Sequence, residues 1–476
     1  MPDFLSFINE ILWGSVMIYL LLGCGIWFTW KTGYIQFRYL RQFTKSLRGS
    51  LSSRDGGFTS FQILCISLAA RVGSGNLAGM ALAITIGGPG AVFWMWIAAI
   101  IGMASSFAES ALAQLYKERD TDGRFRGGPS WYMSRGLGMR WMGIVFSLLL
   151  LLAHGLIFNT VQANASALAL NYAFNIPHSI TGIFIAFIAL PVIMRGLKGV
   201  AQISQWLVPL MSLLWIVACL AIALWHLVEL PAVVEIIIRS AFGWQEAAAG
   251  AAGYSVSQAI TSGFQRSMFS NEAGMGSTPN AAAAASSFPP HPAAQGIVQM
   301  IGVLIDTLII CSASAVVVLL AGHDIHTTSH DGIQIIQQAM NTLLGDWGAG
   351  FVAIVMFLFA FTSIIANYVY AENNLFFLGW NKRCHIWLLR LGALSMVIIG
   401  SVLNLSFIWQ IANVMMALMA IINMTAILLL SPVVRIIAQD YLRQRKLGVI
   451  PVFAPNDYPD IAQQLASGSW EQPPNQ

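Results

Sequence analysis

Two long apolar segments of the chain are each interrupted by a short run of small and polar residues. The first interruption, Gly-Ser-Gly-Asn at residues 73–76, lies within the apolar run 60–83. The second segment, 247–276, carries Thr-Ser-Gly at 261–263 and then Ser-Asn-Glu-Ala-Gly at 270–274. In a bilayer, a broken helix leaves backbone N–H and C=O groups without partners, which costs several kcal/mol for each group unless something binds them. Breaks at corresponding positions of two halves are typical of the substrate and ion site of a secondary transporter.

The composition excludes a soluble protein. Only 9% of the 476 residues are charged and 57% are hydrophobic, whereas soluble domains contain roughly 25% charged residues. The apolar runs are long enough for helices to cross ~30 Å of hydrocarbon and lack the alternation of barrel strands. The sequence therefore predicts an all-α polytopic membrane protein.

Hydropathy predicts about eleven transmembrane helices. They cover residues 11–30, 60–84, 91–114, 143–171, 178–195, 203–226, 247–275, 295–321, 348–371, 386–405 and 408–431. Almost all of the 24 Lys and Arg residues then fall on one face of the membrane. The positive-inside rule places the N-terminus outside and the C-terminus in the cytoplasm.

The spans predict four regions. Residues 1–59 form an extra N-terminal helix and a basic cytoplasmic loop, and residues 432–476 form a cytoplasmic tail, expected as a short helix ending in disorder. Between them, 60–226 and 247–431 each hold five spans that open with a broken helix. Because five is odd, the second set is inverted relative to the first, giving a 5+5 inverted repeat.

The first break combines two kinds of binding group. A half-helix that begins near Gly75 presents free N–H groups and a positive dipole end, which suits a carboxylate. Carbonyls near Ala69 and Val72 would suit Na⁺. The second break is expected at residues 260–264, near the bilayer midplane, with Asn271 and Glu272 capping or gating on its cytoplasmic side.

Three charged residues lie deep within apolar spans: Arg71, Arg266 and Asp306. Each requires a partner or a watery cavity. Asp306 either holds a cation or proton, or pairs with Arg71, its nearest partner by depth. Further hydrogen-bonding side chains that could line a polar cavity are Gln162, Asn164, Thr362, Ser363 and Asn367. No set of residues with catalytic or zinc-binding spacing stands out, so we expect neither an enzyme nor a cofactor.

Three blocks resemble one family of transporters. Gly-Gly-Pro-Gly-Ala-Val-Phe-Trp-Met-Trp-Ile at residues 87–97 is similar to the signature of the sodium:alanine/glycine symporter family. Residues 70–79 and 269–276 resemble its two other strong blocks, and the similarity spans roughly residues 10 to 450. The resemblance implies a leucine-transporter-type fold and uptake of alanine or glycine coupled to Na⁺, or to H⁺ in some members.

The resemblance also implies site residues. It places the substrate on Gly73, Gly75 and Asn76 with Gln162 at the pocket wall, and Na⁺ between the hydroxyls of the ninth span and the carbonyls of the first break. Together with the breaks, the candidate substrate residues are Gly73, Ser74, Gly75, Asn76, Gln162, Thr261, Ser262, Gly263 and Asn367. The candidate Na⁺ ligands are Ala69, Val72, Thr362 and Ser363, and the candidate gating or ion-pair residues are Arg71, Arg266, Glu272 and Asp306.

One position departs from the family pattern. Many members carry Trp where this chain has Asn367, after Ile364-Ile365-Ala366. A smaller, polar residue at a pocket wall would alter the preference among alanine, glycine and other small amino acids.

The sequence therefore predicts a Na⁺-coupled importer of alanine or glycine in a bacterial cytoplasmic membrane. Its partners would be the amino acid, Na⁺ and the lipid bilayer, without nucleic acid and without a cofactor beyond the coupling ion. Two alternatives remain open. One is an H⁺-coupled symporter of the same fold with Asp306 as the carrier, and the other is a channel or substrate sensor without coupled transport.

Overall fold

The computed structural model describes residues 2–40, 57–244, 252–322, 332–403 and 405–470, and this part of the chain is almost entirely helical. The helices are α1 (Phe4–Lys31), α2 (Ile35–Leu40), α3 (Ser60–Arg71), α4 (Gly75–Gly87), α5 (Gly90–Leu115), α6 (Pro129–Trp131), α7 (Arg140–Phe174), α8 (His178–Met194), α9 (Gly196–Trp225), α10 (Leu230–Ala241), α11 (Ala252–Asn271), α12 (Pro279–Ala282), α13 (Pro292–Leu320), α14 (Gly332–Leu344), α15 (Gly348–Phe377), α16 (Arg383–Val402), α17 (Leu405–Leu429), α18 (Ser431–Lys446) and α19 (Pro459–Ala462). Two short antiparallel strands, β1 (Glu118–Arg119) and β2 (Phe125–Arg126), form a hairpin after α5.

Each of the eleven predicted spans contains helical structure among the residues that the structure describes. Within the described residues, eight helices are long and apolar enough to cross a membrane, and the bent pair α3–α4 adds a ninth. Of the other two, α8 has only 17 residues, and α11 has a more polar sequence. The count of eleven transmembrane helices therefore stays a prediction. The basic loop at 41–56 lies outside the described residues.

The first predicted break is confirmed. Helix α3 begins with a capping box, in which the Thr59 side chain accepts from Gln62 N and the Gln62 side chain accepts from Thr59 N, both at 3.0 Å. It ends at Arg71, and α4 starts at Gly75 at an angle of 55°. Val72, the first of the three residues between the two helices, has a ψ of 89°, which is not helical. We call residues 72–74 the first break.

The second break lies about ten residues beyond its predicted position. Helix α11 runs without interruption through residues 261–263 and ends at Asn271. The chain is irregular over residues 272–278, which we call the second break, and then forms the single turn α12. Glu272, Gly274 and Gly276 have positive φ values of 56°, 82° and 83°. The prediction at 260–264 was wrong because Thr, Ser and Gly are tolerated within a packed membrane helix.

Helix α13 contains a π-helical segment, Leu304–Cys311. A π segment widens the helix locally, and such segments are frequent at functional sites. Here the segment carries Asp306, which is fully buried.

The tail is more ordered than its composition indicates. After α18, residues 447–470 fold back against the end of α5. Phe453 N donates to Pro290 O at 3.0 Å, and the indole of Trp470 donates to Leu115 O at 3.0 Å. The Phe453 side chain is only 1% exposed. The expected disorder is therefore wrong up to residue 470, because these apolar side chains find a buried surface that hydropathy alone does not reveal.

Replacing Phe453 tests this packing. Phe453→Ala removes a buried aromatic side chain, and we expect the free energy of unfolding to fall by about 3 kcal/mol. The control Val449→Ala alters a residue that is 50% exposed, and it should cost less than about 0.5 kcal/mol. Thermal denaturation of the purified protein in detergent compares the two. Equal shifts of the midpoint would show that the tail does not contribute to folding.

Candidate functional site

Two amide side chains accept hydrogen bonds from backbone N–H groups at the first break. Gly73 N donates to Asn76 Oδ1 at 3.0 Å, and Ser74 N donates to Gln162 Oε1 of α7 at 2.8 Å. Both amide side chains are buried. Four of the residues predicted to hold substrate therefore meet at one point, where the break exposes polar backbone.

The glycines of the first break allow neighbouring helices to approach closely. A Cβ on Gly73 would lie 2.7 Å from Ser363 Oγ of α15 and 2.8 Å from the Gln162 amide. A Cβ on Gly75 would lie 3.0 Å from the Phe269 ring of α11. Any larger side chain at Gly73 would have to displace one of these groups. The wall of the site at these two positions is consequently formed by backbone.

The carboxylate of Asp306 is held by hydroxyl and amide donors. Asn76 Nδ2 donates to Oδ1 at 2.7 Å, and Ser270 Oγ donates to Oδ2 at 2.6 Å. The Thr307 hydroxyl donates to Oδ2 at 3.1 Å. Asp306 thereby links the first break to the end of α11, immediately before the second break.

Oxygen atoms converge around the hydroxyl of Ser363. Its Oγ lies 2.8 Å from Ala69 O, 2.9 Å from Phe359 O and 3.4 Å from Val72 O. The N–H that would bond Ala69 O in a continuous helix belongs to Gly73, which donates to a side chain instead. Three of the four predicted Na⁺ ligands, Ala69, Val72 and Ser363, therefore lie together. The carbonyl oxygen of Phe359 on α15, which was not predicted, lies beside them.

Two predicted residues of α15 face other partners. The Thr362 hydroxyl bonds within its own helix, 3.1 Å from Leu358 O and 3.0 Å from Phe359 O. The structure does not bring it to the carbonyls of the first break. Asn367, one turn beyond Ser363 on the same face of the helix, donates to Asn159 Oδ1 of α7 at 3.1 Å.

Residues 261–263 lie away from the first break. Ser262 Oγ donates to Ala83 O of α4 at 3.3 Å. A Cβ on Gly263 would lie 2.7 Å from Ala91 O of α5. Ala83 is eight residues after the start of α4, or about 12 Å along the helix axis at 1.5 Å per residue. Ser262 and Gly263 therefore serve helix packing, and Thr261 lies beside them on the same unbroken helix.

The second break is held by one buried carboxylate, that of Glu109 on α5. Its two oxygens accept from Gly274 N and Gly276 N, both at 3.1 Å, and from Asn423 Nδ2 of α17 at 2.8 Å. Asn423 also donates to Gly274 O at 2.9 Å. The irregular backbone thus has its polar groups matched from two neighbouring helices.

Arg71 and Asp306 do not form the ion pair considered from the sequence. Arg71 donates to Gln299 O at 3.1 Å and to Ser106 Oγ at 3.3 Å. Within the described ranges, no carboxylate lies within ion-pair distance of Arg71. Its charge is solvated by a backbone carbonyl and a hydroxyl, which leaves Asp306 bound to neutral donors.

The other two candidate gating residues have aromatic and hydroxyl partners. The guanidinium of Arg266 lies 4.5 Å from the centre of the Trp409 ring. Glu272 accepts from Ser277 Oγ at 2.8 Å, and its other oxygen lies 3.5 Å from His154 Nε2. Glu272 therefore accepts hydrogen bonds from the residues of the second break, and its role in capping or gating stays a prediction.

Three residues that hold the site together were not among the predicted site residues: Glu109, Ser270 and Asn423. The signal for Glu109 was its acidic side chain within an apolar span, because such a residue requires donors. Ser270 opens the small and polar run 270–274 of the second interrupted segment. Asn423 carried no comparable signal, since isolated polar residues occur often in membrane helices.

Two interrupted membrane helices, linked at their breaks by the buried carboxylate of Asp306, are typical of a secondary transporter. The fold is of the leucine-transporter type. It is similar to the solved structure of MhsT in complex with L-phenylalanine, with a TM-score of 0.54, 12% identity, and 81% of this chain and 99% of that chain covered.

The chain belongs to the sodium:alanine symporter family, whose model matches residues 1–455. It is 65% identical over 471 residues to the uncharacterized transporter YaaJ of Escherichia coli (strain K12), covering 99% of both chains. It is 43% identical over 446 residues to the probable sodium/glutamine symporter GlnT of Bacillus subtilis (strain 168), covering 94% of this chain and 91% of that one. The protein is thus a multi-pass membrane transporter and not an enzyme.

Replacing Glu109 tests whether its hydrogen bonds to Gly274 and Gly276 stabilise the second break. All its hydrogen-bond partners are donors, so Glu109→Gln leaves at least one buried donor facing an NH₂ group. The cost of about 1–3 kcal/mol for an unsatisfied group corresponds to a loss of uptake of roughly five- to a hundredfold. Uptake per amount of protein in the membrane measures this. Ser110→Ala is the matched control, since the buried Ser110 hydroxyl has no hydrogen-bond partner among the described residues. Equal losses in both variants would contradict the assignment.

Proposed function

We propose that the protein imports a small neutral amino acid, alanine or glycine, by symport with Na⁺ across a bacterial cytoplasmic membrane. The convergence of carbonyls on Ser363 carries this proposal. A hydroxyl has one proton and can satisfy one acceptor well, yet three carbonyl oxygens surround Ser363 Oγ within 3.4 Å. A hard cation resolves this excess of acceptors, since oxygen atoms are the ligands that such ions prefer.

We assign Na⁺ to Ala69 O, Val72 O, Phe359 O and Ser363 Oγ. Ala69 lies in the last turn of α3 and Val72 in the first break, so the ion would fix the position of the first break relative to α15. In the absence of the ion, the single proton of the Ser363 hydroxyl has to serve both Ala69 O and Val72 O, and this opposes the arrangement. Na⁺ would therefore bind best to the conformation in which the substrate site is assembled, and this differential affinity supplies the coupling.

The amino acid would bind beside Gly73, Gly75 and Asn76. The N–H groups at the start of α4 and the positive end of its dipole suit the carboxylate. The close approach of Phe269 and Gln162 to the two glycines supports a small side chain. Asn367 and Asn159 add an amide pair one turn away, and this favours glutamine as the second candidate substrate to be compared with alanine and glycine.

Transport would follow from alternating access. Entry of one Na⁺ down a potential of 100 mV yields about 2.3 kcal/mol, enough for more than tenfold accumulation before any concentration gradient is counted. The helices on either side of the two breaks would move relative to α15, closing the site on one face and opening it on the other. The N-terminus would lie outside and the C-terminus inside, as the basic residues predict.

Uptake into liposomes tests the ion site. Labelled alanine should accumulate transiently under an inward Na⁺ gradient and not under matched K⁺ or pH gradients. We expect Ser363→Ala to raise the Na⁺ concentration for half-maximal uptake by about tenfold, since it removes an ion ligand. Thr362→Val is the comparison variant on the same helix. It removes one donor to Phe359 O but no ion ligand, and it should change this concentration less than about twofold.

The outcomes distinguish the alternatives. A loss of Na⁺ affinity in Thr362→Val that equals the loss in Ser363→Ala would restore Thr362 to the ion site. Equilibration without accumulation under every gradient would indicate a channel. Glycine and glutamine, added as unlabelled competitors, rank the substrates.

Asp306 provides the test of proton coupling. Asp306→Asn keeps the shape of the side chain but removes its capacity to carry a proton. If Na⁺ is the coupling ion, Na⁺-driven accumulation should persist at reduced rate, since Asn can still accept from Asn76 or Ser270. If the protein is an H⁺ symporter, accumulation under a pH gradient, present in the unchanged protein, should disappear in this variant.

A further inference from the structure

A basic cavity lies between the end of α1, the turn that follows it and helix α18. Its volume is about 590 Å³. The side chains that carry the argument are Trp30, Lys31, Arg38, Arg435, Arg443 and Lys446. Five of these six are cationic, and they come from two segments about 400 residues apart in the sequence.

Among the described residues, most of these cationic side chains have no acidic partner. Arg443 pairs with Asp440 at 2.7 Å. In the part of the chain that the structure describes, no carboxylate lies within ion-pair distance of Arg38, Arg435 or Lys446. Like charges gathered around one cavity repel each other, so an anion that enters it is stabilised.

The cavity borders the surface that faces lipid. Helix α1 crosses the membrane, and Ile26 and Trp30 near its end are 59% and 60% exposed. The ammonium of Lys31 lies 4.5 Å from the centre of the Trp27 ring and 4.9 Å from that of Trp30. Trp residues with adjacent Lys mark the membrane–water interface. The cavity therefore lies at the depth of lipid headgroups, with apolar side chains directly beside it.

We propose that this cavity binds the phosphate group of an anionic phospholipid. Arg and Lys side chains bind phosphate through charge-assisted hydrogen bonds, and basic pockets at the ends of transmembrane helices suit anionic headgroups. The exposed residues of α1 would contact the acyl chains, and this favours a lipid over a soluble phosphate. The bound lipid would join α1 to α18, at a distance from the transport site.

The binding test uses the full-length protein in a neutral detergent. Palmitoyl-oleoyl phosphatidylglycerol is titrated, and native mass spectrometry counts the bound lipid. The test variant is Arg435→Gln/Lys446→Gln. The control, Lys382→Gln/Arg383→Gln, makes the same change of charge at exposed residues on the face to which the sequence assigns the basic loops. A juxtamembrane basic residue contributes about 1 kcal/mol to binding, so the test variant should bind about ten- to thirtyfold more weakly, and the control within twofold of the unchanged protein.

Three further arms define the chemistry. Phosphatidylcholine, which has no net charge, should bind at least tenfold more weakly than phosphatidylglycerol. The charge-preserving variant Arg435→Lys/Lys446→Arg should retain phosphatidylglycerol binding and shows that loss in the test variant does not arise from misfolding. Raising KCl should weaken phosphatidylglycerol binding, since salt screens the exposed charges.

Several results would overturn the proposal. Equal loss in the test and control variants would mean that net charge alone attracts the lipid. Equal affinity for phosphatidylcholine would remove the role of the anionic headgroup. If inorganic phosphate displaces phosphatidylglycerol at equal concentration, or raises the thermal midpoint of lipid-free protein to the same extent, the cavity is a site for a soluble phosphate.

Discussion

The polar backbone that two helix breaks expose within an apolar bundle is the constraint on which the rest of the structure depends. Each unmatched N–H or C=O group in such surroundings costs several kcal/mol. At the second break, Glu109 meets this demand with one carboxylate that accepts from two backbone N–H groups. At the first break, Asn76 and Gln162 take two N–H groups, while the carbonyls of Ala69 and Val72 turn towards a single hydroxyl. The protein thus satisfies these donors itself and leaves an excess of acceptors, which the proposed Na⁺ would complete.

The two breaks are also connected to each other. Asp306 accepts from Asn76 of α4 and from Ser270 at the end of α11, so one buried carboxylate contacts both interrupted helices. Because its partners are neutral donors, its orientation depends on where both helices lie. A movement of either half-helix would cost at least one of these hydrogen bonds. This gives a physical route by which events at one break influence the other.

The sequence predicted what depends on composition and local pattern. The helical membrane fold follows from apolar runs, and the first break follows from two glycines beside Ser74 and Asn76. The second break was misplaced because the residues at 261–263 have the same composition as a break but are used for packing, where small residues let α4 and α5 approach. The partners of Asp306 could not be predicted, since depth in the membrane is one coordinate and does not show which helix faces which. The exclusion of Thr362 has the same cause: adjacent residues on a helix point about 100° apart, so only one of two neighbouring hydroxyls faces α3.

Helix α1 lies outside both predicted repeats, yet it contacts the helices that hold the second break. Its side chains Asn9 and Trp13 donate to Gln410 O and Asn413 O of α17 at 3.1 Å and 3.3 Å. At Gly25 it packs directly on Ile101 of α5, where a Cβ would overlap the Ile101 side chain. Helices α5 and α17 are the two that supply Glu109 and Asn423. Helix α1 therefore contacts both of them from one side, where it would oppose their separation and the release of the backbone between them. The proposed anionic lipid between α1 and α18 would reinforce these contacts from the membrane.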